Sequence, residues 1–260
     1  MKGISKLVWA GLALNICYLG AVVYLTTQIE DGELTIFARN AIAFLQYFSI
    51  PFLVSILLQI ISLPLLFKSP KWGLALAIIG SLIILPLSMI FLAGYMFSYE
   101  KHCNKGLEVF SPGDKNTLSQ ALTFKTSMFY VQGGISLAIG LFILADGVSV
   151  GGLLVCTGII FISNAMRLKQ RVMIGVSGDK LILTPALYAE TCLIPLTDVT
   201  LIKENKNVFK LHIHSAGVDR KCSFSKKMIA GENAQADLAE ILSTLPKADS
   251  EAVAVSDKPE

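Results

Sequence analysis

The chain has 260 residues and a net charge of only +3, with 53% hydrophobic and 16% charged residues. Soluble domains carry about 25% charge, so an ordinary water-soluble core is excluded. The 22 Lys and Arg form no basic stripe among aromatics, which excludes a nucleic-acid-binding surface.

The shortage of charge is local. Leu7 to Ser98 holds only Glu30, Asp31, Glu33, Arg39, Lys68 and Lys71, so lipid is the expected solvent there. After a basic start, Leu7 to Thr26 is free of charge and long enough to cross about 30 Å of hydrocarbon. It is expected to be an uncleaved span, because the apolar run exceeds a signal-peptide core and Val22 to Thr27 is too bulky for a cleavage site. A polar loop follows to Asn40. A second span is expected over 41–67, kinked at Pro51 and Pro64. Lys68-Ser69-Pro70-Lys71-Trp72 is a basic connection with an interfacial Trp. A third span is expected over 73–98, with Pro86 inside and Tyr95 and Tyr99 at its far interface.

Residues 99–127 are hydrophilic and read as a loop, with Ser111-Pro112-Gly113-Asp114 as a turn. A hairpin of two spans occupies 128–166, turning at Asp146-Gly147. Ser136 and Gly140 are spaced for close helix contact. Arg167, Lys169 and Arg171 close the hairpin. Beyond them the pattern changes to short strands: Val172 to Val176, Lys180 to Thr184, Glu190 to Ile194, Val199 to Lys203, Val208 to Ser215 and Lys221 to Ser225, separated by turn residues. Phe209, Leu211 and Ile213 alternate with Lys210, His212 and His214, placing one set in a core. A helix is expected from about Glu232 to Leu245, stopped by Pro246, and a disordered tail over 247–260. The expected fold class is thus a membrane all-α bundle of about five transmembrane helices, followed by a small β-rich α+β domain.

Lys125, the span pair, Arg167 to Arg171 and the strand entry Ile194-Pro195-Leu196-Thr197-Asp198-Val199 resemble bacterial membrane proteins that carry a pleckstrin-homology-like domain after two spans. The resemblance covers residues 125–246. It implies a soluble PH-like domain over 167–246, with a curved sheet closed by the terminal helix. Ile182, Ile194, Val199, Leu201, Phe209, Leu211, Ile213, Phe224, Leu238 and Leu242 would fill it. It also implies an interaction role rather than catalysis.

Chemistry-bearing patterns are few. The five cysteines, Cys17, Cys103, Cys156, Cys192 and Cys222, are odd in number and lack C-x-x-C spacing, which argues against disulfides and zinc. His212-x-His214 lacks further ligands, and Glu100, His102 and Cys103 lack an oxyanion donor. No P-loop, H-E-x-x-H or G-x-S-x-G occurs. No cofactor, metal or catalytic residue is expected. Lys206, Lys210, Arg220, Lys221, Lys226 and Lys227 are expected to form a basic rim toward anionic headgroups. No span carries a charge, which argues against ion-coupled transport. Among Asn15, Gln46, Gln59, Gln132 and Asn164, Gln59 is the deepest candidate for a hydrogen bond between helices.

Five spans put the termini on opposite sides. A cytoplasmic tail then leaves eight basic residues inside (Arg39, Lys101, Lys105, Lys115, Lys125, Arg167, Lys169, Arg171) against four outside (Lys2, Lys6, Lys68, Lys71), although the basic start itself favours the cytoplasm. The functional expectation is a non-enzymatic bacterial inner-membrane protein whose cytoplasmic domain binds a protein partner or the membrane surface. Two alternatives are an immunity protein shielding the membrane from a pore-forming toxin, and a small transporter or channel component. Lipid bilayer and a protein partner, the toxin under the immunity reading, are the expected contacts; nucleic acid is not.

Overall fold

The computed structural model describes residues 3–28, 36–85, 87–110, 120–147, 150–169, 171–231 and 233–247. The turn at Ser111 to Asp114, Pro86, residues 29–35 of the first polar loop, the Glu232 helix start and the tail beyond 247 lie outside them. The chain forms two compact units, 1–103 and 104–260.

The first unit is helical: α1 (Lys6–Gln28), α2 (Ile36–Lys68), α3 (Pro70–Ile83) and α4 (Met89–Cys103). α2 continues as one helix through Pro51 and Pro64. The expected third span is not one helix. A Cβ placed on Gly73 would lie 2.5 Å from Tyr95 Oη, whereas one continuous helix would hold these residues about 33 Å apart. The Phe67 ring meets the His102 ring edge-on, with centroids 5.5 Å apart, so the end of α4 returns to the end of α2. Pro86 lies in the sequence between the helices, and the residue before a proline is driven out of the α region. Tyr95 is therefore fully buried, donating to Ser62 O at 2.9 Å, and does not mark a far interface.

α3 packs along α2 and α4 along α1. Ser5 N–H donates to Ser98 Oγ at 2.9 Å, so the start of α1, the end of α2, the start of α3 and the end of α4 share one end of the unit. Val8, Leu12, Ile56, Leu63, Leu66, Ala77, Phe91 and Tyr95 fill its core. Beside them Gln59, wholly buried, accepts from Asn15 Nδ2 at 2.9 Å. Apolar surroundings demand such pairing of amides.

The second unit begins in the stretch read as a loop. It contains β1 (Glu108–Val109), β2 (Gln120–Phe124), α5 (Ser127–Ala145), α6 (Val150–Leu168), β3 (Val172–Ser177), β4 (Lys180–Leu183), β5 (Cys192–Pro195), β6 (Val199–Glu204), β7 (Val208–Ser215), β8 (Val218–Ser225), β9 (Ile229–Ala230) and α7 (Ala234–Ser243). Two antiparallel sheets form, in the orders β1-β5-β4-β3-β2-β9 and β6-β7-β8. β2 and β3 are neighbours in the first sheet, with Leu122 opposite Ile174, although the whole α5–α6 hairpin separates them in sequence. The β-rich part thus starts upstream of the hairpin rather than at 167, because β2 supplies edges for both β3 and β9.

Every expected core residue joins one cluster except Ile182, which packs with Phe110 and Val172 in another. Leu168, at the end of α6, is buried in the main cluster, so the hairpin base and the sheets share a core. Gly133 and Gly140 of α5 meet Gly158 and Gly151 of α6. A Cβ on Gly140 would come 2.7 Å from Val155 N, and one on Gly158 2.8 Å from Gly133 O. Small residues permit this backbone approach in lipid, and Gly133 and Gly140 both take part in it.

Four helical segments are long and apolar enough to cross a membrane: Lys6–Tyr24, Ser49–Lys68, Ser127–Ala145 and Gly151–Leu168. α3 and α4 are too short, at about 21 and 23 Å.

Candidate functional site

The cationic residues of the second unit cluster where the hairpin meets the sheets. Lys125 precedes α5 by two residues, and its N–H donates to Met228 O at 2.7 Å. Thr123 and Phe124 pair with Ala230 and Ile229. These contacts fix the 3₁₀ turn Lys226–Met228 beside the start of α5. The result is a cleft of about 530 Å³ lined by Lys125, Lys226, Lys227, Ile229, Gly231 and the first turn of α7 from Asn233 to Ala236. Lys226 Nζ lies 2.6 Å from Glu204 Oε1. Lys125 and Lys227 have no carboxylate partner among the described residues. The Asn233 side chain makes no capping bond, so the N–H groups of Ala234 and Gln235 keep their hydrogen-bonding capacity and the positive end of the helix dipole.

The other end of the hairpin is braced. Arg167 donates to Leu187 O and lies 5.0 Å over the Tyr188 ring. Arg171 donates to Ala189 O. Asn164 Nδ2 donates to Tyr188 Oη at 3.3 Å. These bonds fasten the β4–β5 loop to the last turns of α6. Burial pulls the Arg171 guanidinium below its ordinary value, opposed by the charge of Glu190.

The six basic residues singled out from the sequence do not form one rim. Lys226 and Lys227 line the cleft, joined by Lys125. Lys206 is exposed in the β6–β7 turn, next to the cleft because Lys226 N–H donates to Asn207 O at 2.8 Å. Lys210 and Lys221 stand on the solvent face of the second sheet, with Lys203 opposite Lys210 and His212 opposite Lys221. Arg220 is half-buried and donates to Asn104 Oδ1 at 3.2 Å. The sequence did hold a signal for Lys125, a lysine directly before an apolar span; only the Met228 contact shows which residues it joins.

Several other titratable residues of the second unit make structural contacts. His212 Nε2 lies 2.6 Å from Asp219 Oδ1, and this hydrogen bond holds the Asp219 carboxyl below the usual carboxylate range. No group of three potential metal-binding side chains comes together among the described residues. Burial pushes the Cys192 thiol up to about 11, away from thiolate reactivity. Lys180 is raised by its hydrogen bond to Glu108 at 2.7 Å.

Fold and site together define a multi-pass membrane protein with a β-rich region of two antiparallel sheets and a basic cleft at the root of its second helical hairpin. No family model, curated protein or solved structure matches the chain.

Proposed function

We propose that the chain is a non-enzymatic inner-membrane protein of a bacterium, with a cytoplasmic PH-like domain held against an anionic membrane surface. One observation carries this reading: Lys125, Arg167, Lys169, Arg171, Lys226 and Lys227 gather at the root of the α5–α6 hairpin, while its tip, from Ala145 to Val150, holds Asp146 and no basic residue. A hairpin with basic ends and an acidic tip inserts with its ends in the cytoplasm. The PH-like description is supported by the two antiparallel sheets, the second formed by β6 to β8, and by the terminal α7, whose Leu238, Ile241 and Leu242 enter the core between them.

Hydrogen–deuterium exchange of the full-length protein in nanodiscs tests the surface reading. Residues 226–236 are expected to exchange more slowly in discs containing phosphatidylglycerol than in phosphatidylcholine alone, and the difference should fade with added salt. Equal exchange in both lipids removes the reading.

The fold-back of α3 and α4 favours a second reading, a small transporter. Irregular backbone at membrane depth is accepted where it lines a buried or hydrated site. Near it, Asn15 Oδ1 and Ser81 Oγ are buried without a hydrogen-bond partner among the described residues.

A further inference from the structure

We infer that the cleft between Lys125, Lys227 and the first turn of α7 is a site for the phosphate of an anionic lipid headgroup. The inference deepens the reading above and rests on it, because it assumes that the hairpin root lies at a lipid surface.

Position comes first. Lys125 is two residues from Ser127, where an apolar span begins, and two residues reach at most about 7 Å. If α5 crosses the bilayer, the Lys125 ammonium is confined to headgroup depth. The Lys125–Met228 hydrogen bond and the β2–β9 pairing bring Lys227 to the same place.

Charge comes second. Lys226 is held by Glu204, leaving Lys125 and Lys227 as cations without a carboxylate among the described residues; Glu232 lies outside them. A phosphate between these two lysines would also face the N–H groups of Ala234 and Gln235, which line the cleft and have no acceptor of their own among the described residues. Oriented amides of this kind suit phosphate oxygens. Size comes third. About 530 Å³ falls within the ~300–1,000 Å³ of small-ligand pockets, enough for a phosphate and its glycerol. The lysines on the outer sheet face, Lys210 and Lys221, do not line this cleft and serve as the internal comparison.

The test uses full-length protein in a neutral detergent, titrated with dihexanoyl phosphatidic acid, dihexanoyl phosphatidylglycerol, dihexanoyl phosphatidylcholine and inorganic phosphate, with binding followed calorimetrically. Either or both anionic lipids should bind, and phosphatidylcholine should not. Lys125→Gln/Lys227→Gln should weaken that binding about thirtyfold, since each basic group near an anionic surface contributes a factor of about five. Lys210→Gln/Lys221→Gln should leave it unchanged. The exposed single substitution Lys227→Gln, with gel-filtration and melting controls, guards against a folding defect. Inorganic phosphate binding as tightly as the lipids would overturn the lipid assignment. Anionic lipid binding that both double variants weaken equally would overturn the cleft while leaving the surface reading intact. Loss of any preference for anionic lipid would remove both.

Discussion

The hairpin glycines make the sharpest residue-level constraint in the second unit. Gly140 and Gly151 face each other across α5 and α6, and a Cβ on Gly151 would come within 2.6 Å of both Gly140 O and Leu144 N. Backbone atoms on the neighbouring helix cannot rotate aside. Gly140→Leu should therefore separate the helices and destabilise the full-length protein in detergent by about 1–3 kcal/mol, the usual range for overpacking. Gly134→Leu gives the control, because a Cβ there meets nothing within 4 Å. Thermal melts that shift equally for both variants would show that glycine content, rather than this contact, matters. These glycines are visible in the sequence, but the pairs are not. Gly133 and Gly140 are seven residues apart, and so are Gly151 and Gly158, whereas the attention of a sequence reader falls on four-residue spacings such as Ser136 and Gly140. The buried Gln59–Asn15 bond was more legible, since a long amide in an apolar run has to find a partner.

At the scale of elements, β7 follows from period-two alternation, and the β3–β4 and β7–β8 connections follow from the glycine-bearing turns at Gly178 and Gly217. Ala216 and Gly217, for example, both adopt positive φ (49° and 79°) in the tight turn before β8. β2 also alternates, with Ala121 and Thr123 exposed and Leu122 and Phe124 buried. Five residues with no adjacent partner carry little signal, and the partner β3 lies beyond two spans. The fold-back of α3 on α4 was hidden for a related reason: composition records that Gly73 to Ser98 is apolar, and says nothing of direction. The contact between Phe67 and His102 settles that direction and can be tested. In a background with the native cysteines replaced, Phe67→Cys/His102→Cys should be joined in high yield by a short bifunctional thiol reagent in intact membranes. A single crossing over 73–98 would put these positions on opposite faces, about 30 Å apart, and no cross-link would form.

At the scale of the whole molecule, the fold-back changes the sidedness argument. In the first unit the start of α1 and the end of α4 emerge at the same end. In the second, β2 and β3 pair, so both ends of the hairpin emerge together. Between Cys103 and Ser127 the sequence contains no apolar run of span length, so a chain with four spans is expected to hold these ends on one side of a bilayer. Lys2, Lys6, Lys68 and Lys71 then share a side with Lys101, Lys105, Lys115, Lys125, Arg167, Lys169 and Arg171, leaving Arg39 alone across the membrane with Glu30, Asp31, Glu33 and Asp146. The basic start and the basic hairpin root no longer compete, as they would with five complete spans. Fluorescent-protein fusions at residue 1 and at residue 260 should both fluoresce in bacterial cells. Alkaline phosphatase should be inactive at either terminus and active when inserted between Asp146 and Gly147. Phosphatase activity at one terminus alone would restore an odd number of crossings and refute the folded-back α3–α4 pair, whereas activity at both, with none at the hairpin tip, would keep the fold and invert the protein in its membrane.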